Sequence, residues 1–451
     1  MIRTLNPFLT TAAVVCLLAT IAYPQNNSAA RLRAGSHKVE FTPEASDLQF
    51  ATDSIRDHLH ARAIVVDDGQ ACAVLVGIDL GATPNQIVDD AIARTSKSTS
   101  CPSRNVIISA THTHSSNTHG LGQGAPTAKA VADAIVEAAT VAKSRLAPAR
   151  IGYGTTAIDL NVNRDLFNRK LEWRQDPNPD GPSDKTLAVV ELLGDDNVPI
   201  GVFMNYAMHP INFYLSGVIS ADFPGEASQY VEELFDNRTV AIFSQGASGD
   251  QNPRDFRSPA TFFNAPRASR GSARQAIPAE NLDAHKKVLA RTGDYVRMLG
   301  SFIGSSAVRV MRESIRPSAT ARIWAAQETF ACPGRVRLDA DNPARENVFP
   351  GYKDGPDVNL KVRLLRIGDI HFASVNGEVY SEIATRLKRE APASQTIVVT
   401  LANGFANSGY IYSDAAYSHL TFQVIGSRLK PGCAEDKIVS TVLDLMRRSG
   451  Q

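Results

Sequence analysis

Thr111-His112-Thr113-His114 follows the apolar run Val106-Ile107-Ile108, and a strand continuing through it puts His112 and His114 on one face. Such a pair can share a metal ion, or divide into one ligand and one neighbour that meets the reacting group. His209 follows a second apolar run, Val202-Phe203-Met204, and precedes Pro210, which holds its backbone extended and stops the strand. Glu378 follows a third run, Phe372-Ala373-Ser374. Two imidazoles and a carboxylate are the donor set of a catalytic zinc that keeps a position open for water. A lone HxH pair is weak evidence, and the repeated placement of ligand-type residues after apolar strands is what strengthens it.

Asp79 and Asp250 stand in the same relation to Cys72–Ile78 and Ala241-Ile242-Phe243. In open α/β sheets the carboxyl ends of strands converge on one crevice, so three histidines, two aspartates and a glutamate read as one site. Asp250 lies in the Gly-rich stretch Gln245–Pro253, whose small residues let backbone N–H groups approach a ligand; an ordinary Asx turn explains the same residues from spacing alone. His119 stands near the pair in a Gly-rich loop and, with His37, His58, His60, His285, His371 and His419, is read as a packing or surface residue. Ser248 is not in GxSxG and no Ser-His-Asp arrangement is evident, so serine hydrolase chemistry is not supported.

The elements that must position these residues alternate. Strands are expected near Ala71–Ile78, Asn105–Ser109, Ile200–Tyr206, Val240–Ser244, Ile370–Ser374 and Ile397–Leu401. Helical periodicity runs through Asn85–Thr95, Ala128–Arg145, Gly225–Phe235, Ala284–Glu313 and Glu378–Arg389. The expected fold is α/β, a mixed β-sheet core flanked by helices in a single large catalytic domain. Arg254–Asn281 and Asp339–Val358 carry neither period and read as long loops.

Composition narrows the partners. With 47 Lys+Arg against 46 Asp+Glu in 451 residues, no single-sign field is available and nucleic acid is not expected as a partner. The 43% hydrophobic and 21% charged content suits a large core and excludes disorder, collagen and coiled coil. Arg3, the apolar run Phe8–Ala22 and the polar Gln25-Asn26-Asn27-Ser28 have the order of a secretory signal. Residues 1–30 are therefore expected to be a signal peptide, residues 31–451 the hydrolase domain, and the protein secreted or periplasmic. An uncleaved anchor is the weaker reading. Cys72, Cys101, Cys332 and Cys433 can then pair in three ways or remain buried thiols.

Ile107-Ile108-Ser109-Ala110-Thr111-His112-Thr113-His114-Ser115, Asn161-Val162-Asn163-Arg164, Asn205-Tyr206-Ala207-Met208-His209-Pro210, Gly249-Asp250, Asn376-Gly377-Glu378 and Gly409-Tyr410-Ile411 with Tyr417 occur in one order. In these blocks the chain resembles the neutral/alkaline non-lysosomal ceramidases, whose α/β domain holds one zinc and hydrolyses the amide bond of ceramide. The resemblance implies His112, His209, Glu378 and Tyr410 as ligands, with His114 and Arg164 at the reacting amide. Asp250 would orient the water or a ligand histidine, and Asn252 and Tyr417 would meet substrate. The implied substrate is a small-molecule or lipid amide, reached, for a lipid, by peripheral membrane contact. Two residues depart from the family pattern: Asn252 replaces a serine, and Phe422 stands where a further tyrosine is expected. Zinc binding transfers better than ceramide as substrate, and a more polar amide or ester, or a non-catalytic zinc-containing binding protein, is the alternative.

Overall fold

The computed structural model describes residues 1–2, 31–116, 124–255 and 277–450. The expected signal segment beyond residue 2, His119 and most of the Arg254–Asn281 stretch lie outside the described residues. An eight-stranded sheet runs in the order Val240–Gln245, Pro199–Tyr206, Thr186–Gly194, Ala147–Ala157, Arg33–Glu40, His60–Asp67, Cys72–Ile78, Val106–Ala110. The pair at each edge is parallel and the pairings between are antiparallel. A four-stranded sheet is built from Ile323–Arg337, Tyr352–Ile367, Ile370–Val375 and Thr396–Val399.

The two sheets pack face to face with helices outside each. Leu75, Ile107, Phe203 and Ile242 of the first meet Leu365, Ile367, Phe372 and Ile397 of the second. The alternate residues Val74, Val76 and Ile108 turn outward under the helices Asn85–Thr99 and Ala128–Ser144. Val202, Met204 and Phe243 lie under Asp222–Leu234 and Leu282–Glu313, and the outer face of the second sheet under Ser381–Glu390 and Ala434–Ser449. Strands buried on both faces have no polar side to show, which is why they read as unbroken apolar runs.

The first sheet also curls. A Cβ at Gly77 would fall 2.7 Å from the Ile242 side chain, so strands far apart in the sheet order touch. Only glycine allows that approach. The curl brings the two parallel edge pairs together, and these are the edges that run on into His112 and His209.

The cysteines pair as Cys72–Cys101 and Cys332–Cys433. The first ties Cys72–Ile78 to the turn before Val106–Ala110; the second ties the long hairpin to the cap of the C-terminal helix. By restricting the unfolded chain, loops of 29 and 101 residues contribute on the order of 3–5 kcal/mol each.

The expected α/β class and its principal strands and helices are present. Part of Asp339–Val358, expected as loop, belongs to the hairpin strand Tyr352–Ile367. The local residues Gly355 and Pro356 hide that strand, and its partner accommodates them: a Cβ at Gly334 would overlap the Pro356 carbonyl, and the register shifts between Cys332 and Gly334.

Candidate metal centre

The strand Val106–Ala110 stops before the histidines. His112 has φ 69°, in the left-handed region that bulky side chains avoid, so His112 and His114 do not share a strand face as period 2 predicts. The turn still brings them together, with ring centroids 4.6 Å apart. His112 N–H donates to the Leu80 carbonyl (2.9 Å), and His114 N–H to that of Pro210 (3.0 Å), which ties the pair to the segment carrying His209. The rings of His112 and His209 lie 4.7 Å apart, and those of His114 and His209 5.7 Å apart. One ring nitrogen from each of the three lies within 4.8 Å of the others.

Glu378 arrives from the second sheet. It was expected to open a helix, but it pairs as a short parallel strand with Tyr410, and the helix begins at Ser381. The Gly-rich turn holds this strand in place: Gly249 N–H donates to the Val379 carbonyl at 2.8 Å, and a Cβ at Gly249 would fall 3.0 Å from that backbone. Glu378 Oε1 lies 2.9 Å from His112 Nε2.

The hydrogen bonds orient the imidazoles. His112 Nδ1 donates to the Gly81 carbonyl, and His209 Nδ1 donates to that of Gln251 at 3.0 Å. Each neutral ring then presents Nε2 as a lone pair. His209 Nε2 and Glu378 Oε2 are buried and have no hydrogen-bond partner among the described residues. His112 Nε2 faces Glu378 Oε1 at 2.9 Å and His114 Nε2 at 3.3 Å. These separations resemble the roughly 3.3 Å between tetrahedral ligands bonded at about 2.0 Å. Burial, then the Arg164 charge, keeps His209 neutral by lowering its pKa well below the usual range. Burial alone would raise Glu378, but its contact with His112 and the nearby Arg164 charge hold it well below the carboxylate range.

Arg164 is buried beside this group. Its guanidinium carbon lies 5.4 Å from the Tyr410 ring centroid and 5.6 Å from that of Phe422, and Nη2 donates to the Gly249 carbonyl at 2.6 Å. Nη1 donates to Asn252 Oδ1 at 3.2 Å. Burial works against its charge, while Tyr410, Glu378 and Tyr380 hold it charged. His112, His114, His209, Glu378, Tyr410, Arg164 and Asn252 are thus gathered by contacts.

Three expected residues have other settings. Asp250 Oδ1 accepts from Ser381 N–H and Oδ2 from Ser381 Oγ, both at 2.8 Å, while Asn163 Nδ2 donates to Oδ2 at 2.9 Å. These bonds position backbone; none of them runs to one of the three histidines. Tyr417, 43% exposed, stacks on Tyr412 and lies against Arg335, apart from the rings that meet Arg164. Asp79, read as part of the same site, pairs instead with Arg62 at 2.8 Å.

The sequence reading passed over Gln245. Its Nε2 donates to the carbonyls of Thr111 (3.2 Å) and Met208 (3.0 Å), and its Oε1 accepts from Met208 N–H (3.1 Å), bracing both histidine-bearing segments. The signal was present, since Gln245 ends an apolar strand as the histidines nearly do.

The N-terminal domain of neutral/alkaline non-lysosomal ceramidases matches residues 45–259. The chain is similar to that family. Neutral ceramidase of Pseudomonas aeruginosa is 26% identical over 264 residues, covering 53% of this chain and 39% of that protein. The chain therefore spans well under half of this curated relative in sequence. The crystal structure of neutral ceramidase from P. aeruginosa superposes with a TM-score of 0.69 at 18% identity, over 93% of this chain and 75% of that one. A structure described as ceramidase complexed with C2 gives the same score over 76% of its length. At that identity the superpositions establish the ceramidase fold. Against the family pattern, both departing residues, Asn252 and Phe422, touch the same group, Arg164.

Proposed function

We propose that this chain is an exported, zinc-dependent hydrolase of N-acyl amide bonds, with residues 1–30 as signal peptide and 31–451 as the ceramidase-like hydrolase domain. The observation that carries the reading is the pair of buried, unpartnered acceptors, His209 Nε2 and Glu378 Oε2, beside two imidazoles whose other nitrogens are occupied. Nitrogen and oxygen donors with backbone-fixed tautomers fit a zinc ion. His112, His209, Glu378 and Tyr410 would hold it, as the family resemblance implies. When bound, the ion supplies a Lewis acid that activates water and polarises the scissile carbonyl.

The protein's own groups do the rest. Arg164, buried and held charged, stabilises the oxyanion that develops as the carbonyl is attacked. His114 is the half-buried member of the histidine trio, so it is the group able to accept the proton of the attacking water and return it to the leaving amine. Asp250 acts through Ser381 and Asn163, keeping the Arg164 strand and the Glu378 segment in register. Asn252 meets the substrate near Arg164, and Tyr417 a part of it farther from the amide. Two disulfides suit an oxidising compartment and hence export.

Asn252 favours a second reading within the same chemistry. By accepting from Arg164 it occupies a donor that a ceramide head group could otherwise use, which favours a more polar amide or ester. The test is turnover of ceramide, short N-acyl amides and polar amides or esters, before and after chelation and with zinc restored. Zinc-restored cleavage of at least one amide is expected. Stoichiometric zinc with no turnover of any substrate would leave the binding-protein reading and overturn the hydrolase.

A further inference from the structure

Apolar side chains are exposed in two neighbouring turns. Phe167 and Leu171 at the tip of the Asn161–Phe167/Trp173–Asn178 hairpin are 49% and 76% exposed, and Leu338 and Phe349 in the adjoining loop 65% and 66%. The turns form one surface. The Phe167 and Trp173 rings lie 5.2 Å apart, Trp173 N–H donates to Asn347 Oδ1 (2.5 Å), and Asn347 Nδ2 donates to the Trp173 carbonyl (2.8 Å). The loop closes across its neck where Leu338 N–H donates to the Gly351 carbonyl at 3.1 Å.

The hairpin tip is ordered rather than collapsed. Asn168 Oδ1 accepts from the N–H groups of Lys170 (2.8 Å) and Glu172 (3.2 Å), and Leu171 is held at φ 60° with its side chain outward. A leucine both exposed and left-handed gains nothing from folding there. Arg169 and Lys170, exposed immediately beside it, add two positive charges.

This surface adjoins the candidate site. The strand carrying Phe167 also carries Arg164, and Trp173 stacks at 3.9 Å on His419, whose Nδ1 lies 3.2 Å from Asp165 Oδ2. We infer that the Phe167–Trp173 tip and the Leu338–Gly351 loop dock the protein on a lipid bilayer surface, presenting the site to substrate held there. Aromatic rings suit the headgroup depth, aliphatic tips the acyl boundary, and the Arg169–Lys170 pair the lipid phosphates. A second protein would satisfy the apolar area but gives no reason for the basic pair immediately before the leucine. Among the described residues no helix is long and apolar enough to cross a membrane. The inference rests on the reading of the substrate as a lipid amide.

The test is co-sedimentation of the full protein with phosphatidylcholine vesicles, with and without phosphatidylglycerol, which reads binding without turnover. Wild type should bind both, more tightly with the anionic lipid. Leu171→Ser with Phe349→Ser should weaken binding about tenfold on both, and Arg169→Ser with Lys170→Ser should remove only the anionic preference. In a Trp324→Phe background, Trp173 fluorescence should shift to the blue on vesicles. Hydrolysis of a short soluble amide should be unchanged by the Leu171/Phe349 pair, which separates failure of docking from failure of the hydrolase reading. Wild type that stays in solution with both vesicles, or an apolar double variant that binds as wild type, would overturn the proposal. So would a wild-type dimer that the same double variant dissociates, because the surface would then be an interface between copies.

Discussion

Two buried constellations border the strands of the first sheet and differ in how their charge is closed. In one, Arg62 pairs with Asp79 (2.8 Å) and with Glu232 (3.0 Å), Lys38 caps Glu232 at 2.6 Å, and Asp79 also accepts from His60 N–H. Apart from Asp79 Oδ1, these acceptors are answered by protein donors. In the other, His209 Nε2 and Glu378 Oε2 are as deeply buried and find no hydrogen-bond partner among the described residues. Leaving a buried polar atom unpaired costs roughly 1–3 kcal/mol, more for a charged one. The first cluster leaves Asp79 Oδ1 open and the second leaves His209 Nε2 and Glu378 Oε2 open together, which supports the proposed metal site in the second. Strand-end polarity alone therefore does not mark a site; what distinguishes the second cluster is that acceptors on two neighbouring ligand-type side chains are open together.

The sharpest break of this comparison is His209→Ala. It should remove bound zinc and lower turnover by about three orders of magnitude or more, with a fall in melting temperature that added zinc no longer reverses. Elemental analysis of the purified variant decides it; a full equivalent of zinc would mean that His209 is not a ligand. Arg62→Ala removes the cation shared by two buried carboxylates and should cost about 3–5 kcal/mol in urea unfolding while zinc content stays at wild type. Loss of zinc in that variant would show that the two constellations are one coupled unit.

A smaller change sharpens the open cluster. Asn252→Ser shortens the side chain that accepts from Arg164, so Arg164 Nη1 becomes available to substrate. Fatty acid release from ceramide should rise about three- to tenfold relative to a short N-acyl amide, and no rise would remove Asn252 as the residue that turns ceramide away. The smallest effect concerns a carboxyl that belongs to neither cluster. Burial pushes Glu191 up to about 7 from an ordinary 4.5, with Arg150 opposing. Because the folded value is the higher one, its stabilising contribution is full below about 4.5 and is lost as pH rises through 7. Glu191→Gln should flatten the fall in melting temperature across that window, and an unchanged profile would assign the dependence elsewhere.

Much of the site was legible because its chemistry is carried by residue type. His112, His209 and Glu378 follow apolar runs, and runs buried on both faces are conspicuous in sequence. Their local geometry was not legible. His112 is left-handed and Glu378 pairs with Tyr410 because partners remote in sequence, Leu80 and the Tyr410 segment, supply their backbone hydrogen bonds. The strand through Gly355 and Pro356 was hidden for the same reason.

Residue identity by itself determined the α/β class, the apolar strands and the imidazole and carboxylate donors, since these follow from periodicity and functional group. Only the tertiary structure decided which strand-end acids join the histidines. Asp79 was claimed by Arg62, Asp250 by Ser381 and Asn163, and Glu378 by the cluster. The cysteines were settled in the same way, as Cys72–Cys101 and Cys332–Cys433. The physical reason is distance: a carboxylate or a thiol acts on what lies within a few ångströms, and the curl at Gly77 and the packing of two sheets set those neighbours.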